Sequence, residues 1–176
     1  MPRCGRGWER RCSQMDVQAV KIVIPEGVNV IAGQTHFIKT VEDLYEVFKN
    51  SVPDIEFGIA FCEASQDRLV RWDGNAEDLT RAAVDAAKEV GAGHFFIAFI
   101  RNAFPINVLP AIKMCPEVCS IFCATANPVV FLVMGEDESR GVIGVLDGLS
   151  PLGVETEEDQ KTRREFLRKI GYKVAG

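Results

Sequence analysis

Runs of apolar residues broken by short polar and Gly/Pro segments set the pattern of the chain. Val17 to Ile24 is a β-rich run stopped by Pro25 and Gly27, and Val28 to Ala32 gives a second short strand. Thr40 opens a helix: its side chain can cap, Glu42 and Asp43 sit in the first turn, and Leu44, Val47 and Phe48 form the apolar stripe. Ile55 to Cys62 is apolar at nearly every position, which predicts a strand covered on both faces. Leu69 to Trp72 is a shorter strand, with Asp73-Gly74 as a turn. Asn75 caps a helix that runs to about Val90, buries Leu79, Ala82, Ala83, Ala86 and Val90, and stops at Gly91. Phe95 to Ile100 is again apolar throughout. Pro105 to Lys113 reads as a helix of only a turn or two, since an internal proline such as Pro110 costs about 3 kcal/mol. Val118 to Ala124, Val129 to Met134 and Val142 to Leu146 are three further strands. Thr156 and Asp159 make a capping box for a last helix, supported by Asp159/Arg163 and Glu165/Lys169 pairs and ended by Gly171.

The order β-β-α-β-β-α-β-α-β-β-β-α has no linker and no repeat. It predicts an α/β (α+β mixed) fold: a single compact layered domain with mixed sheets covered by helices. Residues 1–14 have no periodicity and carry Arg3, Arg6, Arg10 and Arg11, so they read as a disordered basic leader to one domain over residues 15–176. A chain of 176 residues suits one domain, and 47% hydrophobic with 26% charged residues is globular composition. A formal net charge of −5 gives no electrostatic reason to seek nucleic acid. No apolar run exceeds six residues, the length of Val129 to Met134, which is too short for a membrane helix, and the leader lacks the apolar core of a secretory signal. A cytoplasmic protein with reduced cysteines is expected.

No Gly precedes a Lys, so there is no phosphate-binding P-loop, and HExxH, GxSxG and CxxC are also absent. Cys115, Cys119 and Cys123 are four apart and would share a helix face. Pro116 and the β-rich run put them on a strand instead, as core thiols, and no metal site is expected.

Four segments can carry chemistry. Gln34, His36 and Lys39 join a strand to a helix N-terminus, a place that favours an anion, although His36 and Lys39 also suit an ordinary surface turn. In Gly91-Ala92-Gly93-His94 the glycines let backbone approach a ligand, and His94 is either a satisfied turn residue or a reactive one. Phe104 could stack on a base and Asn107 bond a sugar or phosphate. Thr125 and Asn127 offer polar side chains between two buried strands. Glu63 ends an apolar strand, where burial would raise its pKa if it faces inward.

The segments PEGVNVIAGQTHFIKTVEDLYE, FGIAFCEAS, RLVRW, GAGH, PINVLPAIK, PEVCSIFCATANP, GVIGVLDG and GVETEEDQKTRREFLRKIGYK resemble the adenosine-specific kinase family of archaea and bacteria. The resemblance runs from about Val20 to Val174, collinear throughout, and departs from the family pattern at Pro110 and Phe131. It implies a layered α/β domain that assembles as a homotrimer or higher homo-oligomer, binds adenosine or AMP, and carries phosphate on a histidine. His94 is then the first choice for the phosphate carrier and His36 the second. Ligand contacts are expected at Gln34, Lys39, Glu63, Gly93, Phe104, Asn107, Thr125 and Asn127, with no other cofactor. A neutral imidazole nitrogen is a competent nucleophile toward phosphorus. The competing expectation is a non-catalytic adenine-nucleotide binding or sensing protein.

Overall fold

The computed structural model describes residues 16–174. The basic leader, with Cys4 and Cys12, lies outside the described residues. Twelve elements follow in the expected order: β1 (Gln18–Lys21), β2 (Asn29–Thr35), α1 (Thr40–Ser51), β3 (Glu56–Cys62), β4 (Val70–Gly74), α2 (Glu77–Val90), β5 (Phe95–Arg101), α3 (Pro105–Met114), β6 (Val118–Thr125), β7 (Val129–Glu136), β8 (Ser139–Asp147) and α4 (Glu157–Lys169).

The strands form a five-stranded sheet in the order β4-β3-β5-β2-β6 and a three-stranded sheet in the order β1-β7-β8. Every ladder is antiparallel, so the sheets are not mixed. β2 and β3, joined by α1, do run the same way, but β5 enters between them and pairs with both. Element order could not show that insertion.

β5 is the central strand, and its side chains alternate between two cores. Phe95, Ile97 and Phe99 face α2 and the three-stranded sheet, where Leu79, Ala83, Phe131 and Val133 meet them. Phe96, Ala98 and Ile100 face α1 and α3, against Leu44, Phe48, Val108 and Ile112. A strand apolar at every position is stable only when both faces are covered.

Several local expectations differ from the structure. Asp73 and Gly74 belong to β4. Lys39, not Thr40, holds the N-cap position of α1; Thr40 is buried, and its hydroxyl donates to the carbonyl of Phe37. Ala76 precedes α2, while Asn75 pins β3, accepting from Phe57 N–H and donating to the carbonyl of Ile55. α3 runs ten residues through Pro110, because Pro110 lies on the exposed side, where water can serve the unpaired carbonyl, while Val108 and Ile112 anchor the other side. The capping box of α4 forms at Thr156 and Asp159. Arg163 pairs with Glu155 rather than Asp159, and no Glu165–Lys169 ion pair forms.

α4 buries no side chain. Leu149, Leu152 and Val154, in the segment that leads to it, are fully or almost fully exposed.

α2 lies directly on β3. A Cβ at Gly58 would collide with the backbone of Leu79 and Thr80, which cannot rotate away. Gly58→Ala is expected to lower unfolding stability by about 1–3 kcal/mol. Gly141→Ala, where a Cβ meets nothing within 4 Å, should leave it unchanged, both read by urea denaturation. Burial pushes the Cys62 thiol up to about 11 and the Cys123 thiol up to about 12. Alkylation of the folded protein at pH 8, mapped by peptide mass, should therefore mark exposed Cys119 and spare both of these.

Candidate functional site

Both histidines lie at one end of the five-stranded sheet. The N–H of Thr35 donates to the carbonyl of His94 at 2.9 Å, and the N–H of His94 donates to the carbonyl of Cys62 at 2.9 Å. Continuing the β3–β5 register beyond Phe61 and Phe96 sets Glu63 opposite His94. Thr35, His94 and Glu63 therefore form a row on the α1–α3 face. His94 has φ 61°, in the left-handed region. Its half-buried ring stacks on Phe61 with centroids 6.2 Å apart. His36 follows Thr35, is exposed, and donates its N–H to the carbonyl of Glu117.

Glu63 is held by two donors. Its Oε2 accepts from Leu69 N–H at 3.0 Å, and its Oε1 lies 2.9 Å from Arg71 Nη2. The Leu69 hydrogen bond, then the Arg71 guanidinium, hold the carboxyl below its ordinary pKa. The rise that burial would have brought is overturned because donors reach the carboxylate first. Arg71 pairs across the ladder with Phe61, the residue under the His94 ring. Its Nε is buried without a hydrogen-bond partner.

Near His36 two carboxylates share one cation. Lys39 bonds to Asp43, and its Nζ lies 3.3 Å from Oε2 of Glu117. The Asp43 bond and then Glu117 raise the Lys39 pKa against the cost of burial. Glu117 is 1% exposed and neither carboxylate oxygen has a hydrogen bond. Its carbonyl also accepts from the Thr35 hydroxyl, which is bonded in turn to Thr40. With Glu42 and Asp43 in the first turn, the positive end of α1 is already answered by carboxylates.

Both glycines of the turn have their backbone donors engaged. Gly91 N–H is bonded to the carbonyl of Ala87 and Gly93 N–H to the carbonyl of Arg140. Gly93 instead lines a polar cavity of about 770 Å3 on the α2 side of the sheet.

The remaining expected contacts lie elsewhere. β2 separates the two ends of the sheet by six residue steps, roughly 20 Å. Phe104 and Thr125 line an apolar cavity of about 1020 Å3 at the far end, together with Asn29, Leu109, Phe166 and Tyr172. Asn107 uses its Oδ1 to accept Phe104 N–H, which secures the start of α3. Asn127 donates its backbone N–H to Thr125 Oγ1 and its side-chain amide to Asp147 Oδ1 at the end of β8. Thus Gln34, His36, Lys39, Glu63, Gly93 and His94 gather at one end, and Phe104, Asn107, Thr125 and Asn127 at the other. Arg71 and Glu117 were missed. Arg71 becomes visible only once β4 is paired with β3, and Glu117, between Pro116 and a β-rich run, carries no signal at all.

The depressed Glu63 pKa has a sign that can be measured. Stability from this carboxylate is present above the ordinary glutamate value of about 4.3 and is lost as pH falls through the lower folded value. The gap in melting temperature between the wild type and Glu63→Gln should be full at pH 6 and shrink toward pH 2, read by thermal melts. A gap that does not change with pH would refute this.

Comparisons with known proteins agree on the whole domain. The sequence model described as "Adenosine specific kinase" matches residues 20–173. The crystal structure of the PH1918 protein from Pyrococcus horikoshii OT3 is 44% identical, with a TM-score of 0.87, covering 92% of this chain and 99% of its own. No curated protein sequence matches the chain. A match over nearly all of the domain, joined to the same fold in a relative at this identity, places the chain in the adenosine-specific kinase family.

Proposed function

We propose that this protein binds adenosine or AMP and transfers a phosphoryl group through His94. Family membership supports the adenosine ligand. The observation that carries the choice of histidine is the buried, unpartnered Nε–H of Arg71, one strand from the ring of His94. An N–P bond forms between the imidazole and a phosphoanhydride donor as the donor's P–O bond breaks and its pair leaves with the departing oxygen. The adenosine hydroxyl then attacks phosphorus, the N–P bond breaks, and the hydroxyl proton passes to the released imidazole. A guanidinium with a free donor stabilises the charge on the transferring oxygens. His36 is the second candidate; the two carboxylates near it, Asp43 and Glu117, share the single cation Lys39, whereas Glu63 at the His94 end is matched by Arg71, so the His36 side opposes a phosphate dianion more.

Intact mass spectrometry tests the assignment. His94→Ala should lose any acid-labile phosphate, while His36→Ala should keep it and bind ligand more weakly. Loss in His36→Ala alone would reverse the roles. If neither the wild type nor a variant carries or transfers phosphate, the binding or sensing reading takes its place. The sequence carries no P-loop of the kind that cradles a triphosphate. Calorimetry is therefore expected to show adenosine and AMP binding, with ATP no tighter than AMP and GMP weak.

The protein is read as a cytoplasmic homo-oligomer, a trimer by family resemblance. Among the described residues no helix is long and apolar enough to cross a membrane. Support for assembly comes from α4, which buries nothing on its own chain, and from exposed Leu149, Leu152 and Val154. An isolated helix of this length is marginal in water. A chain ending at Gly148 should be smaller in light scattering than the full one, by loss of assembly and not merely of the missing mass. Equal oligomeric order would refute this use of α4.

A further inference from the structure

The polar cavity behind the Gly91–His94 turn has a chemistry of its own. Cys62, Ala87 and Ala92 form its wall on the α2 side, and Glu63, from the His94 row, stands at its border. Arg68, Lys88 and Arg140 line it, with Glu63, Asp67 and Glu138. Two of those carboxylates are already engaged: Glu63 by Arg71 and Leu69, and Glu138 by Arg68 at 2.8 Å. Lys88 and Arg140 have no carboxylate partner among the described residues. Asp67 is the one lining carboxylate left to oppose them.

Arg140 is bonded to the turn by its backbone, and its side chain lies alongside it. Its carbonyl accepts Gly93 N–H at 3.2 Å, and its Nη1 would be 3.7 Å from a Cβ at Gly91. Its Nη2 spends one donor on the neutral Gln18 side chain, and the guanidinium keeps others to give. Backbone geometry marks the same place. Five non-glycine residues among those described have positive φ, and four of them, Gln66, Arg68, His94 and Asp137, lie on the segments that rim this cavity. Such conformations collect where a ligand is handled. The negative end of α2 also points toward the turn, so any attraction for an anion must come from the side-chain cations.

We propose that this cavity binds a phosphate-bearing small molecule, with Arg140 and Lys88 as the groups that hold the phosphate. Arg68, paired with Glu138 across the two rim loops, is a clasp whose guanidinium the phosphate can draw inward. A phosphate fills only part of about 770 Å3, which leaves room for the organic body of a phosphomonoester. The site is separate from the phosphate carried on His94, and ligand contact with Arg140 reaches the His94 turn through the Gly93 N–H.

The test uses the full chain, with inorganic phosphate and glycerol 3-phosphate as probes, titrated by calorimetry at constant ionic strength. Both should bind, glycerol 3-phosphate the more tightly. Lys88→Met and Arg140→Gln should each weaken them by about tenfold, the worth of one charged hydrogen bond. Lys49→Met, at the far end of α1, should not. Exposed Lys88 lies on the surface of α2, so its variant reports even if Arg140→Gln folds poorly. His94→Ala must retain phosphate binding. Loss in His94→Ala, or binding unchanged in Lys88→Met, or no binding of either probe by the wild type, overturns the proposal. Phosphate binding without adenosine binding would instead leave this site standing and defeat the adenosine reading.

Discussion

Burial of β5 on both faces is the constraint from which the rest of the molecule follows. Phe95 to Ile100 has no polar position to turn toward water. One side must be closed by α1 and α3, the other by α2 and a second sheet. That demand explains why a chain of this length builds two sheets, and why β6 and β7 cross from one to the other. It also fixes where loops can go. Left-handed residues bracket the strand, His94 before it and Asn102 after it, so the chain turns sharply at each end without extending the apolar run.

Coverage of β5 makes the two ends of the sheet chemically different. At the His94 end, two backbone bonds tie β2, β3 and the glycine turn together and a third ties the turn to β8, and charged side chains cluster on both faces. The other end is held by Asn29 donating to the carbonyl of Ala103 and by Arg101 bridging Glu56 and Asp78. Its cavity is apolar and aromatic. A nucleoside held among Phe104, Thr125 and Tyr172 would lie a strand's length from the His94 ring of the same chain. A transfer reaction therefore needs the nucleoside at the histidine end, or a second copy to bring the two ends together.

Much of the fold was legible because its signals are local. The apolar runs at Phe57 and Phe96, the alanines of α2 and the Thr156–Asp159 box each state their role within a few residues. Strand pairing was not legible, because nothing in Glu56–Cys62 says that β5 will lie beside it. The site was readable in the same measure. Scarcity pointed to His36 and His94, and the fold brings them to adjacent strands. Arg71 and Glu117 stayed hidden because their significance depends on what lies across a ladder or beneath a helix. Asn107 was misleading for the opposite reason: its side chain is absorbed by a neighbouring N–H, a use that composition cannot separate from ligand binding.

The bracketed central strand also bears on how the molecule breathes. Amides of β5, paired on both edges and covered on both faces, can exchange with solvent only when the whole domain opens, whereas those of α4 can exchange by local fraying. His94 is thus mounted at the root of the slowest-exchanging segment. Its position relative to Thr35 and Glu63 persists through the small openings that free the C-terminal arm, so arm and histidine belong to different cooperative units of one short chain.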